Sequence, residues 1–189
     1  MENLELSKNF SRKEKSTYVP MTDTDFRKDV GTPFFPTSTT KLIVMSVCTL
    51  GIYEIFWFYK NWKFLKEKHN FDISPFWRAW FCIFTCYSFF KIVKAYANQH
   101  KSEAEYKPGP LTLLYILLFV ASRAPDPLWI FSTFSFVPLL SVQKVINNLK
   151  DQLTPDADIN NKFSTWNIIG IALGSIVWVL IILRMILPK

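Results

Sequence analysis

A chain of 189 residues has the length of one domain, yet half of its residues are apolar and 17% are aromatic, more than a soluble domain of this size normally buries. Five glycines and three cysteines argue against a glycine-rich phosphate loop and against a disulfide scaffold. The formal charge of +7 is spread over every polar segment and builds no single basic face. That argues against nucleic acid as a partner and for anionic lipid headgroups, where each nearby cation contributes about 1 kcal/mol.

Residues 1–40 are polar and mixed in charge, running through SKNFSRKEK and TDTDFRKD to GTPFFPTSTT, and they lack the apolar core of a signal peptide. The composition predicts a mobile polar tail there, ahead of a helical membrane domain over 41–189. With no export signal, the charged tail places the N-terminus in the cytoplasm. The first apolar segment, LIVMSVCTLGIYEIFWFY at 42–59, is about 27 Å long as a helix, close to the hydrocarbon thickness. It is predicted to cross, with KNWKFLKEKHN continuing along the surface.

Ser74 and Pro75 form a helix start, and PFWRAWFCIFTCYSFF runs on to Phe90, which predicts a second membrane helix over 77–90. Arg78 lies one turn in, within reach of headgroups. The third region is broken: apolar runs at 111–122 and 128–142 flank RAPDP, whose Pro125 and Pro127 forbid one continuous helix. The pair reads either as a re-entrant hairpin or as two tilted spans closed by a tight turn, with Asp126 capping the second half and Pro138 kinking it. Residues 166–187 give the clearest crossing helix, and Gly170 and Gly174 in GIALG form a small-residue face for packing within one subunit or between copies. The expected fold is therefore all-α: a polytopic helical integral membrane protein with three to five membrane helices and a broken helical hairpin at 111–142.

Orientation is not set by charge at this level. Lys and Arg number three over 27–41, five over 60–78, four over 91–110, three over 143–165 and two at the C-terminus, so both sides of the bilayer come out basic.

Glu54 is the most informative polar residue, because an unpaired carboxylate inside an apolar segment is costly. It is expected to be protonated, to lie near the interface, or to pair with Arg78 or Arg123, with Arg78 the first candidate. Its two readings are a proton or cation site and a structural ion pair. Arg123 and Asp126 flank the break, and they mark a pore or binding site if that turn lies in the bilayer, or a solvated pair if it reaches the surface. Cys82 and Cys86 share a helix face, but His69 and His100 fall outside the apolar runs, so buried thiols are expected and not a metal site. There is no GxSxG, no HExxH and no histidine within an apolar run to activate a nucleophile. No catalytic residue, cofactor or metal is predicted.

The stretch KLIVMSVCTLGIYEIFWFYKNWKFLKE, followed by SPFWRAWFCIF and FVPLLSVQKVINNL, resembles the DUF4234-like group of small bacterial membrane proteins over residues 35–150. The resemblance implies a bacterial inner (cytoplasmic) membrane and a multi-pass chain, and it brings no catalytic residue with it. The leading expectation is a non-enzymatic protein that acts through helix packing with itself, with protein partners or with lipid. The alternatives are a subunit of a proton- or ion-conducting or transport assembly that uses Glu54, and an intramembrane enzyme.

Overall fold

A computed structural model describes residues 34–69, 71–102 and 104–187. They belong to the compact unit Gly31–Lys189. Among the described residues seven α-helices follow in order: α1 (Thr39–Cys48), α2 (Ile52–His69), α3 (Pro75–Trp80), α4 (Cys82–Gln99), α5 (Pro108–Val120), α6 (Phe136–Leu153) and α7 (Thr165–Ile186). Short 3-10 turns at Ala121–Arg123 and Leu128–Phe134 join α5 to α6. No strand occurs among the described residues, where a single bridge links Thr37 to Asn160, so the all-α class holds. Two helical stretches there, Leu128–Leu153 and Thr165–Ile186, are long and apolar enough to cross a membrane.

The tail expected over 1–40 lies outside the described residues up to 33. Its last part is packed: Phe34, Phe35 and Thr37 are buried. The Phe35 N–H donates to Asn61 Oδ1 at 3.0 Å, and Asn147 Nδ2 donates to the Thr37 carbonyl at 3.0 Å.

Two expected crossings are not single helices. The 42–59 segment breaks at Thr49–Gly51, where Leu50 (φ 51°) and Gly51 (φ 86°) enter the left-handed region and reverse the chain between α1 and α2. Glycine adopts that conformation without a Cβ penalty, which ends α1 after ten residues, about 15 Å. The 77–90 segment breaks at Phe81, the residue shared as C-cap of α3 and N-cap of α4. The break expected between Arg123 and Pro127 is present, for α5 gives way there to irregular backbone around Pro125 and Pro127.

Pairwise contacts set the helix directions. Glu54 meets Ser135 near the starts of α2 and α6, and further along the Trp57 indole N–H donates to Gln143 Oε1 at 2.6 Å. Along α4, Cys82 lies near Glu54, Phe89 packs edge-on against Phe58, and Tyr96 packs edge-on against His69 at the end of α2. So α2, α4 and α6 run parallel. Helix α5 runs against α4, since Tyr106 just before it donates to the Phe90 carbonyl while Tyr115 within it reaches Cys82. Helix α7 starts beside Lys41 and ends beside Asp126, near the turn after α5.

This arrangement gives the molecule two unlike ends. One holds an aromatic core of Phe34, Trp57, Phe58, Trp62, Phe89 and Tyr96, all buried, in which Phe89 packs edge-on against five rings, four of this core and Phe90. Around it the helix surfaces are polar. At the other end Ile52 (70% exposed), Phe84 (79%), Trp80, Phe131 and Val137 point outward, and along the length of α7, from Trp166 at its start, nearly every apolar residue is exposed. Monomeric soluble proteins do not leave apolar surface of that extent uncovered.

Candidate functional site at the hairpin apices

The polar cluster around Glu54 lies where three chain reversals meet. Glu54 stands one turn into α2, just past the Gly51 turn; Cys82 opens α4; Ser135 caps the start of α6; and Tyr115 comes from α5. Glu54 is 2% exposed. Ser135 Oγ donates to Glu54 Oε1 at 2.6 Å, and the Tyr115 hydroxyl is also within hydrogen-bonding reach of the carboxyl. Tyr115 and Cys82 Sγ share a contact of 3.5 Å in which either can donate. Among the described residues the carboxyl is met by hydroxyl groups and by no cation.

The expected pairing of Glu54 with Arg78 is not what the structure shows. Helix α3 returns along the middle of α2, so Arg78 sits over the Trp62 ring at 4.6 Å from its centroid, well past the level of Glu54. The guanidinium gains the ring's electron density and keeps one face toward solvent. Arg123 is not with Glu54 either. It ends the 3-10 turn after α5 and is exposed. Asp126, also exposed, accepts from the Trp129 indole at 2.8 Å and lies 4.0 Å from Arg184 on α7. Both members of that pair are about three-quarters exposed, so it contributes little to stability.

Gly170 and Gly174 face α1. A Cβ at Gly170 would meet Thr49 and Met45 at ordinary distances of 3.7 and 3.8 Å, whereas one at Gly174 would fall 1.7 Å from the Cys48 carbonyl oxygen. Only glycine allows α7 that close, and the nearby Trp178 indole donates to the Val47 carbonyl at 2.9 Å.

Sequence reasoning did not single out Ser135, Tyr115, Lys41 or the amide network. Gln143, Asn147 and Asn61 tie residues 35–37 to α2 and α6, with Gln143 Nε2 donating to Asn147 Oδ1 at 2.8 Å. Lys41 is 3% exposed and donates to Asn160 Oδ1 at 2.8 Å and to the Lys162 carbonyl at 2.6 Å. The signal for these was polar residues at helical spacing on otherwise apolar faces, Gln143 and Asn147 being four apart.

Cys82 and Cys86 are buried, and no group of three or more metal-ligating side chains occurs among the described residues. Comparison with known proteins finds no matching family model, no matching curated relative and no matching solved structure.

Proposed function

We propose that the chain is a non-enzymatic membrane protein embedded asymmetrically in the bilayer, with its lysine-bearing end in the cytoplasm, and that it acts through the helix surfaces it presents to lipid and to partners. One observation carries the reading. The three parallel helices, with the segments that follow them, bring Lys60, Lys63, Lys66, Lys68, Lys91, Lys94, Lys101, Lys107, Lys144, Lys150 and Lys162 to one end, whereas the opposite turns offer Arg123 and Arg184 against Asp126. Counted this way, the positive-inside bias is strong, because the windows that looked like alternate sides fall on one side.

In this reading α7 and the stretch from Leu128 through α6 cross the bilayer, and α5 with its 3-10 turn supplies a third crossing that ends at the same level. Helix α7 measures about 33 Å, enough to span. Helices α1–α2 and α3–α4 form hairpins that enter partway and return. Gly174 and Trp178, which meet the end of α1, lie near the middle of α7, and this supports half-depth entry for the Gly51 turn. The resemblance to the DUF4234-like group fits such a protein of a bacterial inner membrane and imports no chemistry.

A conducting role for Glu54 is the second reading, favoured by a carboxyl held by hydroxyl groups at membrane depth. Its enclosure by four chain segments makes it first a polar joint between hairpin apices. Extraction of the membrane fraction with alkaline carbonate tests the main reading: the chain is expected to stay in the pellet, and release into the supernatant would contradict integral insertion. A proton flux into liposomes that Glu54→Gln abolishes would favour the second reading.

A further inference from the structure

A cleft of about 460 Å³ opens between α1, α2 and the start of α7, at the level where exposed apolar side chains give way to lysines. Its lining includes Tyr53, Phe56, Lys60, Lys41, Ser164 and Trp166. We propose that this cleft binds the phosphate of an anionic phospholipid, a proposal that rests on the membrane reading above.

Three independent features converge. First, Lys60 Nζ is held 5.5 Å over the Phe56 ring and 5.9 Å over the Phe35 ring, so its stem covers apolar surface while its charge stays at the cleft. Neither Lys60 nor Lys41 has a carboxylate partner among the described residues. Second, Tyr53 is 4% exposed, and its hydroxyl faces the Thr37 hydroxyl and makes no well-formed hydrogen bond there. The neighbouring Thr37 hydroxyl is already donating to the Asn160 carbonyl at 3.1 Å. A buried phenol so poorly satisfied carries a desolvation cost that an acceptor oxygen in the cleft removes.

Third, the 22-residue helix α7 begins here. Ser164 and Asn167 close a capping box that satisfies the Asn167 N–H, and helix geometry leaves the Thr165 and Trp166 N–H groups without intrahelical acceptors. Lys60, the phenol and the helix start are the donor set of an anion site, and Lys41, itself bonded to Asn160 and Lys162, adds its charge behind them. The rest of the lining chooses the source of the anion. Trp166 and Ile52 stand exposed near the cleft and continue into the apolar flank of α7, where acyl chains would lie.

The test is native mass spectrometry of the full chain in detergent, titrated separately with phosphatidylglycerol, phosphatidylcholine and inorganic phosphate. Wild type is expected to retain phosphatidylglycerol over phosphatidylcholine, and Tyr53→Phe and Lys60→Gln to weaken that retention about tenfold, the size of one charge-assisted hydrogen bond. Lys144→Gln, on the same end but away from the cleft, should leave it unchanged. Tyr53→Phe removes a poorly satisfied buried hydroxyl, so its lipid-free melting temperature should equal or exceed that of wild type. Equal retention of the two lipids by wild type, or full retention by both cleft variants, overturns the proposal. Competition by inorganic phosphate as strong as by phosphatidylglycerol overturns the lipid assignment. Failure of the membrane reading itself would appear separately, in the carbonate extraction.

Discussion

At the lysine-bearing end, α2, α4 and α6 turn Trp57, Trp62, Phe89 and Ile146 inward and are polar outside, as a soluble helical domain is. A few turns away the same helices turn Ile52, Phe84 and Val137 outward and enclose Glu54, Cys82 and Ser135. The lysines gather at the first region, and what inverts between the two is which apolar and polar side chains are covered. The hydrophobic effect makes the first pattern stable in water, and in the proposed reading a hydrocarbon surround removes the cost of the second.

Truncating the shared aromatic core should separate the regions most sharply. Phe89→Ala is expected to cost about 3–5 kcal/mol, because the ring is fully buried against five others. Phe84→Ala, five residues earlier and outward-facing, should change stability in detergent by less than about 0.5 kcal/mol. Urea or thermal melts of both variants read the contrast, and equal losses would erase it.

Close packing at the apolar end is sharpened by the glycines. Gly174→Ala must push α7 away from Cys48 and should cost on the order of 3 kcal/mol, whereas Gly170→Ala meets only ordinary contacts and should be neutral or slightly stabilising. Folded yield and melting temperature check both.

For Glu54, substitution by Gln keeps an acceptor for Ser135 and should cost less than about 1 kcal/mol, while Glu54→Leu strands buried hydroxyls at about 1–3 kcal/mol. Combined with Arg78→Ala, the Gln change should be additive, since Arg78 rests on Trp62. A coupling above about 1 kcal/mol would restore the ion pair that the sequence suggests.

The smallest effect belongs to His100, which stacks on Tyr96 at 4.5 Å at the lysine-bearing end. Burial lowers its pKa from the ordinary 6.5. The neutral ring is the form the fold favours, so its contribution is present above pH 6.5 and is lost as pH falls through that value toward the lower folded pKa. Melts across that range should show a shallower acid slope for His100→Gln than for wild type.

Much of this was legible in the chain. Pro125 and Pro127 state the third break, since their missing N–H groups act locally, and the apolar run of α7 states its own length. The break inside 42–59 had one signal, Gly51 after Leu50, easily outweighed by the apolar residues on both sides. The Phe81 break had none, as Trp80, Phe81 and Cys82 suit a helix well enough. Glu54 was legible as a problem but not in its solution: Ser135 lies 81 residues away and meets it only because α2 and α6 run parallel. The same parallel arrangement hid the charge bias, because lysine windows that alternate along the chain gather at one end.

That gathering is the central claim, and side-specific labelling of single cysteines tests it. In a background with Cys48, Cys82 and Cys86 replaced, cysteines at Lys63, Lys94, Lys144 and Arg123 would be exposed to a membrane-impermeant maleimide in intact cells and in inverted vesicles. The account predicts that positions 63, 94 and 144 label only in inverted vesicles and position 123 only in intact cells. Labelling of any of the three lysine positions from the side that reaches position 123 would contradict it.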